Sequence, residues 1–405
     1  MLGFVPPHTR IARLIVIAAV SLLLCACSNL RYYAQAAHGQ GALIVHRRAV
    51  SKLVHDPATD PKLAARLQQA QQARRFASRR LALPDNRSYT GYVALDRPYV
   101  VWNVFATPRF SVQAVPQCFP VSGCVAYRGW FSEADAQADA ARLQARGDDV
   151  WVGGVPAYST LGWFADPILS SMLRWDDDEL DGTIFHELAH QLIYVKGDTA
   201  FNESFASFVQ GEGLREWRRS RGLPPPDEHA QEMDEGFTRL VLDLRTRLAA
   251  LYASGADASA METGKQREIA AFRARYAQWR ERDWPDDHRY DAWIAQPINN
   301  ARLLPFGLYE RWTPAFAALF QRAGRDWPAF YASVRGLARE PKAQREEALQ
   351  ALLPQSPWPG TTCSRQSNCR AIRGSRSPMG GSAASSTAAE SAYQCPDLRP
   401  AMCRR

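Results

Sequence analysis

Residues Thr183-Ile184-Phe185-His186-Glu187-Leu188-Ala189-His190-Gln191 place two histidines four positions apart, with a glutamate directly after the first. Positions i and i+4 share one face of a helix, so both imidazoles can bind one metal ion. Glu187 would then lie beside that ion, where its carboxylate can take a proton from bound water. The acidic run from Asp176 to Asp181 suits the start of such a helix, because a helix N-terminus favours negative charge.

A third ligand is available thirteen residues after His190, in the stretch Asn202-Glu203-Ser204-Phe205-Ala206. The turn at Lys196-Gly197-Asp198 separates this stretch from the first helix, so a second, antiparallel helix can bring Glu203 back against the histidines. Two imidazoles and a carboxylate form a ligand set that favours Zn²⁺. We therefore predict one zinc ion bound by His186, His190 and Glu203.

Each of these residues also has a purely structural alternative. The two histidines can form a buried, hydrogen-bonded pair. Glu203 can be a surface acid, and Asn202 can be an N-cap residue, a common role for asparagine before a helix. Glu212, nine residues after Glu203, can support a ligand histidine from behind or be an exposed helix acid.

The chain before the metal motif changes character twice. Residues 31–82 carry apolar residues at helical spacing, which predicts two helices. From Tyr89 to Val125, short apolar runs, among them Phe110 to Val115, alternate with turn residues and indicate strands. A helix from Ser132 to Arg146, with Ser132 as its N-cap, and a strand beginning at Asp149 follow.

After the motif, the sequence from Asp178 to about Leu353 is nearly all helical. We therefore predict an α+β fold, in which a small sheet (89–155) precedes a mainly helical, zincin-like catalytic core. The metal-site helices occupy 178–220, and one metallopeptidase domain spans 28–353. Residues 354–405 become rich in Ser, Gly and Arg without a periodic apolar face, which predicts a disordered tail of no assigned function.

The N-terminus has the pattern of an export signal over residues 1–27. Basic residues precede an apolar run from Leu14 to Leu24, which is too short to span a bilayer. Leu24-Cys25-Ala26-Cys27 resembles a bacterial lipobox, which implies lipidation of Cys27 and attachment to a membrane. An ordinary cleaved signal and an uncleaved apolar anchor are the alternatives. Ser28 rather than Asp after the cysteine implies outer-membrane retention facing the periplasm, if the source is Gram-negative.

Export places the other cysteines in an oxidising compartment. Cys118 and Cys124 lie six residues apart across a turn-forming spacer, so they are candidates for a small disulfide loop, with a CxxC-type metal site as the weaker alternative. The net charge of +8 on 405 residues argues weakly for anionic envelope surfaces. Nucleic acid is not an expected partner outside the cytoplasm.

The motif His-Glu-x-x-His followed by Asn-Glu-x-x-Ala resembles the gluzincins, the clan that includes thermolysin and the alanyl aminopeptidases. The resemblance implies that His186, His190 and Glu203 are the zinc ligands. The spacing between the two elements is shorter here than in those two families, so their substrate pockets cannot be transferred directly.

A closer resemblance runs from the lipobox to about residue 353. It rests on Gly123 to Phe131, Gly182 to Gln191, Asn202 to Ala206 and Asn299 to Leu303. Together these stretches resemble a family of bacterial lipoproteins described as zinc aminopeptidases. The tail departs from that family, which usually stops near residue 353.

Residues for substrate binding are harder to assign from sequence. In the zinc peptidase clan, a strand before the metal helix pairs with the peptide backbone, and Val152 to Leu161 is the candidate stretch here. Its Pro156 suits an edge strand. Tyr309 is our candidate hydrogen-bond donor to the transition-state oxyanion, although ordinary core is the alternative. Arg128 can anchor a substrate carboxylate or make a local network beside the cysteine loop.

The sequence thus predicts a lipid-anchored zinc metallopeptidase acting on peptides or proteins in the cell envelope, with Glu187 as the catalytic base. The family resemblance implies an aminopeptidase, and an endopeptidase is the nearest alternative. A binding lipoprotein with a structural metal, or none, is an alternative of a different class. An intact Glu187 disfavours it, because a structural site needs ligands but no neighbouring base.

Overall fold

The computed structural model describes residues 31–119, 123–306 and 311–353. Several sequence-based predictions therefore lie outside the described residues, namely the export signal with Cys27, the oxyanion candidate Tyr309 and the tail 354–405. Among the described residues, no helix has both the length and the apolar character needed to cross a membrane.

Helices open the described part of the chain, short strands follow and a long helical part comes last, as predicted, but residues 31–82 form three helices and a two-residue strand instead of the two predicted helices. The strands are short and are β1 Arg48–Ala49, β2 Gly91–Val93, β3 Val101–Thr107, β4 Gln117–Phe119, β5 Gly123–Val125, β6 Tyr127–Trp130, β7 Asp149–Val155 and β8 Ile168–Leu169. The helices are α1 31–45, α2 Val50–Leu53, α3 Pro61–Arg79, α4 Glu133–Gln144, α5 Asp177–Leu192, α6 Thr199–Ser220, α7 Glu228–Tyr252, α8 Ala258–Asp283, α9 Asp291–Ala295, α10 Thr313–Arg322, α11 Trp327–Arg339 and α12 Lys342–Leu352.

The main sheet has the strand order β6-β3-β7, and both pairs are antiparallel. All seven residues of the central strand β3 are buried, because strands flank it on both sides and both faces are covered. Trp102 and Val104 lie on the face that packs against α4. Phe105 lies on the opposite face, against Tyr127 of β6 and Trp151 of β7. Side chains alternate between faces along a strand, so this opposite face belongs to one continuous layer.

Two smaller sheets complete the β structure. The strand β2 pairs with β1 antiparallel and with β8 parallel, which fixes the chain just before the metal motif. The strands β4 and β5 form a hairpin in which Cys118 and Cys124 lie directly opposite each other. The structure joins these two cysteines in a disulfide.

The helical part is built from two antiparallel hairpins. The α5–α6 hairpin packs with α3 and α10–α12 around a core of buried aromatic rings, among them Phe185, Phe205 and Phe330. The α7–α8 hairpin has its own core, centred on Phe237 and Phe272.

The second hairpin is fastened to the main sheet by polar contacts. The Lys265 ammonium of α8 lies 2.5 Å from the Asp149 carboxylate at the start of β7. Asn300 donates its backbone N–H to the same carboxylate, and Asn299 donates its side-chain amide to Val150 O. The Asn299–Asn300 element therefore positions a helical hairpin against the sheet.

The α+β prediction is confirmed, with a small sheet followed by a mainly helical core. Ser132 is the N-cap of α4, as predicted, and accepts a hydrogen bond from Asp135 N. The prediction of a strand from Phe110 to Val115 is wrong: this stretch forms no strand, and its Val112 packs against the core of the second hairpin. The predicted edge strand also stops at Val155, before Pro156, so residues 156–161 continue as a loop.

Candidate metal centre

The helix α5 begins where the acidic run predicts. Asp176 is the N-cap and accepts a hydrogen bond from Glu179 N, and the next residues place further carboxylates in the first turn. These charges stabilise the positive end of the helix dipole. The helix then continues without interruption through His186 and His190, and it ends at Leu192.

The turn between α5 and α6 is held by side chains rather than by a regular cap alone. Asp198 is the N-cap of α6 and also forms a buried ion pair with Arg345, whose Nη2 lies 2.6 Å from Oδ2 of Asp198. Asn202 is not the N-cap. It is buried, its Oδ1 accepts from Val195 N at 2.7 Å, and its Nδ2 donates to Val195 O at 2.8 Å. These two hydrogen bonds fix the position of the next residue, Glu203, relative to α5.

The three predicted ligand atoms converge. Nε2 of His190 lies 3.0 Å from Nε2 of His186. Oε2 of Glu203 lies 3.3 Å from the His186 nitrogen and 3.5 Å from the His190 nitrogen. A tetrahedral zinc ion with bonds of about 2.0–2.1 Å separates its ligand atoms by about 3.3 Å. The triangle of side chains therefore has the size and the donor atoms that one zinc ion requires.

One ligand histidine is supported from behind by α6. Nδ1 of His186 lies 3.0 Å from Oε1 of Gln210, so a proton on Nδ1 leaves the Nε2 lone pair directed at the other two ligands. Gln210 is seven residues after Glu203 and therefore shares its helix face. Glu212 does not take this role, because its carboxylate pairs with Arg215 and Arg325.

The charges at the centre stabilise one another. Burial raises the pKa of Glu203, but His190 and His186 outweigh burial and lower it to about 2. Burial lowers the pKa of His190, and Glu203 outweighs this effect, so the net shift is upward. The side chains are largely shielded from solvent, with exposed fractions of 14% for His186, 8% for His190 and 18% for Glu203. The carboxylate therefore stays ionised next to the two imidazoles.

Three tyrosines surround this centre. The Tyr194 ring centroid lies 6.4 Å from that of His190, and burial together with the charge of Glu203 raises the pKa of Tyr194. Tyr127 reaches the centre from β6, where burial, then Glu203 and Glu187, raises its pKa well above the usual range. Tyr194 follows His190 by four residues, but α5 ends at Leu192, so the turn after the helix and not helical spacing sets its position.

The third tyrosine, Tyr89, has an unusual backbone. Its φ is +63°, in the left-handed region that non-glycine residues rarely adopt. The conformation is held on both sides, since Tyr89 N donates to Asp166 O at 2.6 Å and Gln71 Nε2 donates to Tyr89 O at 2.6 Å. Burial, and next the charge of Glu187, raises the pKa of Tyr89. No sequence pattern marks this residue, because only the tertiary fold brings it near Glu187.

Arg128 has a local role. Its guanidinium carbon lies 4.9 Å from the ring centroid of Tyr32, on the face of β6 opposite to Tyr127. The described residues place no carboxylate within salt-bridge distance of it. Arg128 therefore stacks against the N-terminal helix rather than facing the metal centre.

Among the described residues, His186, His190 and Glu203 form the one group of His, Cys, Asp and Glu side chains arranged to hold a metal ion. The sequence matches the model of a family described as "Putative aminopeptidase" over residues 31–349, well over half of the chain. No curated protein and no solved structure matches it. On the length of the family match, the chain belongs to this aminopeptidase family.

Proposed function

We propose that this protein hydrolyses peptide bonds with one zinc ion held by His186, His190 and Glu203. The observation that carries the proposal is the 3.0–3.5 Å triangle of their ligand atoms, with a glutamate directly after the first histidine. Membership of an aminopeptidase family supports the same reaction. Zinc bound at such a site acidifies water and polarises a carbonyl group.

Glu187 is the proposed general base. It takes a proton from the attacking water as the water oxygen bonds to the peptide carbonyl carbon, and it passes the proton to the amine nitrogen as the C–N bond breaks. The residue follows a ligand histidine on α5, and its partial burial limits competition from bulk water. His186 is held by Gln210, so the ligand face stays fixed while Glu187 exchanges its proton.

A hydroxyl donor to the oxyanion completes the proposed machinery. Among the described residues, Tyr194 is well placed, because its ring contacts the His190 ring and its hydroxyl keeps its proton at neutral pH. Tyr309 stays a prediction, since it lies outside the described residues.

The strand β7 is the proposed site of peptide backbone pairing. Within the described part of the chain it pairs with β3 alone, and Asn299 occupies its other edge at Val150, so only the later residues of that edge can add a strand. Trp151 of β7 shares a sheet face with Phe105 and Tyr127, and Tyr127 extends to the metal centre. Tyr127 lies on β6, at the opposite edge of the sheet from the free edge of β7, so peptide pairing along β7 stays a sequence-based prediction.

The family favours an aminopeptidase, and an endopeptidase is the alternative. The buried carboxylate of Asp166 is already satisfied by loop residues and does not offer a site for a free α-amino group. The positions of cleavage in peptides of known sequence decide between the two activities.

We place the activity in the cell envelope, with the protein attached through a lipid on Cys27 and facing the periplasm. The Cys118–Cys124 disulfide supports export, because such bonds persist in oxidising compartments. The net charge of +8 agrees with a location beside anionic lipids.

The test combines zinc analysis with a mixed peptide library read by mass spectrometry. We expect about one zinc per chain and cleavage by the wild type, and Glu187→Gln should keep zinc and lose cleavage. Glu347→Gln, on the exposed face of α12, is the matched control and should behave as wild type. Cleavage by Glu187→Gln at the wild-type rate would exclude Glu187 as the base, and absence of both zinc and cleavage would favour a binding lipoprotein.

A further inference from the structure

The loop of residues 159–166, between β7 and β8, exposes two large aromatic side chains. Trp163 is 71% exposed and Phe164 is 49% exposed, although buried aromatic rings fill the neighbouring core. We call this segment the aromatic loop. Exposed aromatic rings next to a candidate active site mark a binding surface.

The aromatic loop is built around one buried carboxylate. Asp166 is 1% exposed, and its oxygens accept from Thr160 N at 3.0 Å, Thr160 Oγ1 at 2.5 Å and Ser159 Oγ at 3.3 Å. From the other side, Arg47 donates to Phe164 O at 3.1 Å and to Ala165 O at 2.7 Å. These contacts hold the backbone on both sides of the two rings.

The backbone of this loop is strained. Leu161 has a φ of +55° and Ala165 a φ of +50°, both in the left-handed region that disfavours side chains with a Cβ. Such conformations persist only where the surrounding contacts determine them, and they cluster at functional sites. The loop is therefore held in one conformation while its two apolar rings face solvent.

The aromatic loop contacts the metal helix beside the proposed base. Gly162 packs so closely on Gln191 that an added Cβ would lie 2.9 Å from the Gln191 side-chain oxygen. Gln191 also lies 3.5 Å from Asp166 through its Nε2 atom. Gln191 follows Glu187 by four residues, so the two side chains share a helix face one turn apart. The loop thus lines the Glu187 side of the centre.

We propose that Trp163 and Phe164 bind a large apolar side chain of the peptide substrate, next to the bond that is cleaved. The inference rests on the proposed peptidase function and specifies its substrate class. A preorganised aromatic surface binds an apolar side chain without the entropy cost of ordering the loop. The position beside Glu187 makes a residue near the scissile bond the expected occupant, rather than a distant part of the peptide.

The experiment compares two peptides that differ only in Phe or Gly at the position next to the cleaved bond. We expect the wild type to prefer the Phe peptide in kcat/KM, and the Trp163→Ser/Phe164→Ser variant to reduce that preference roughly 10- to 100-fold. Trp163→Phe should keep most of it. Leu223→Ser removes an exposed apolar residue after α6 and should leave the preference unchanged. Circular dichroism checks that each variant is folded.

An unchanged Phe preference in the double serine variant would overturn the proposal. If the same variant also loses binding to phosphatidylglycerol vesicles, the two rings belong to a membrane-binding surface instead. If the wild type cleaves nothing, calorimetric binding of the two peptides to Glu187→Gln and to its Trp163→Ser/Phe164→Ser derivative tests the loop separately from the peptidase. Equal affinity of Glu187→Gln for both peptides would then exclude the aromatic loop as a binding site for the Phe side chain.

Discussion

The two helical hairpins of this protein use the same architecture for different purposes. The interior of α7–α8 is packed with apolar and aromatic side chains, in which Phe237 stacks on Tyr290 with ring centroids 3.7 Å apart. Both hairpins bury polar side chains, among them Thr238 and Lys265 in α7–α8 and Asp181, His190 and Asn202 in α5–α6. Within the described residues, only α5–α6 brings such groups together at one possible metal site. Burial of polar groups costs free energy unless each finds a partner. The comparison shows that the two hairpins differ less in apolar packing than in the convergence of ionisable side chains, which is confined to α5–α6 among the described residues.

The largest expected effect is a loss of stability in the α7–α8 hairpin. Phe237 is fully buried and contacts five aromatic rings, so Phe237→Ala should lower the free energy of unfolding by about 3–5 kcal/mol. Urea denaturation followed by circular dichroism measures this change. The folded variant should still bind zinc, because its metal triangle lies in the other hairpin. Loss of zinc from the folded variant would show that the two hairpins are not independent.

The second prediction concerns a polar group buried in the metal-site hairpin. Burial raises the pKa of Asp181 from 3.8 to about 6, against the hydrogen bonds from Gln69 and Trp217. The stability from the protonated form is fully present below pH about 4 and is lost as the pH rises through about 6. On going from pH 4 to pH 7, the free energy of unfolding of Asp181→Asn should therefore rise by up to about 3 kcal/mol relative to that of the wild type. Urea denaturation at both pH values gives the difference, and a pH-independent difference would contradict the assigned pKa.

The third and smallest predicted effect concerns Gln210, the hydrogen-bond partner of His186. Gln210→Met keeps the side-chain volume and removes the acceptor for Nδ1 of His186. We expect zinc affinity to fall about 10- to 100-fold, with little change in helix content. Competition with a chromophoric chelator measures the affinity. Wild-type affinity in this variant would mean that Gln210 does not orient the ligand.

The sequence predicts the repeating features of the fold better than its long-range contacts. The ligand triangle follows from helix geometry, because the spacing of His186 and His190 and the short turn before Glu203 leave little freedom. The strand expected at Phe110 to Val115 failed for the opposite reason: its apolar side chains reach the core from an irregular segment. Apolar content alone does not distinguish these two ways of burying a side chain.

The sequence also fails to identify the hydrogen-bond partners of the polar residues around the candidate site. The sequence offers Glu212 as a hydrogen-bond partner of a ligand histidine. In the structure, the Glu212 carboxylate pairs with Arg325, and Gln210 is the partner of His186. Asn202 was weighed as an N-cap, yet Asp198 caps the helix and Asn202 clamps Val195. Which polar partner a side chain finds depends on elements far apart in sequence, and one sequence does not contain that information.

Zinc content after extensive dialysis tests the central claim most directly, measured for the wild type and two variants of the same helix. Glu203→Gln removes the proposed ligand charge, whereas Glu216→Gln keeps an oxygen that can accept from Trp327 Nε1. We predict about one zinc per chain in the wild type and in Glu216→Gln, and loss of zinc in Glu203→Gln. Full zinc in a folded Glu203→Gln variant would contradict the assignment of His186, His190 and Glu203 as the metal site.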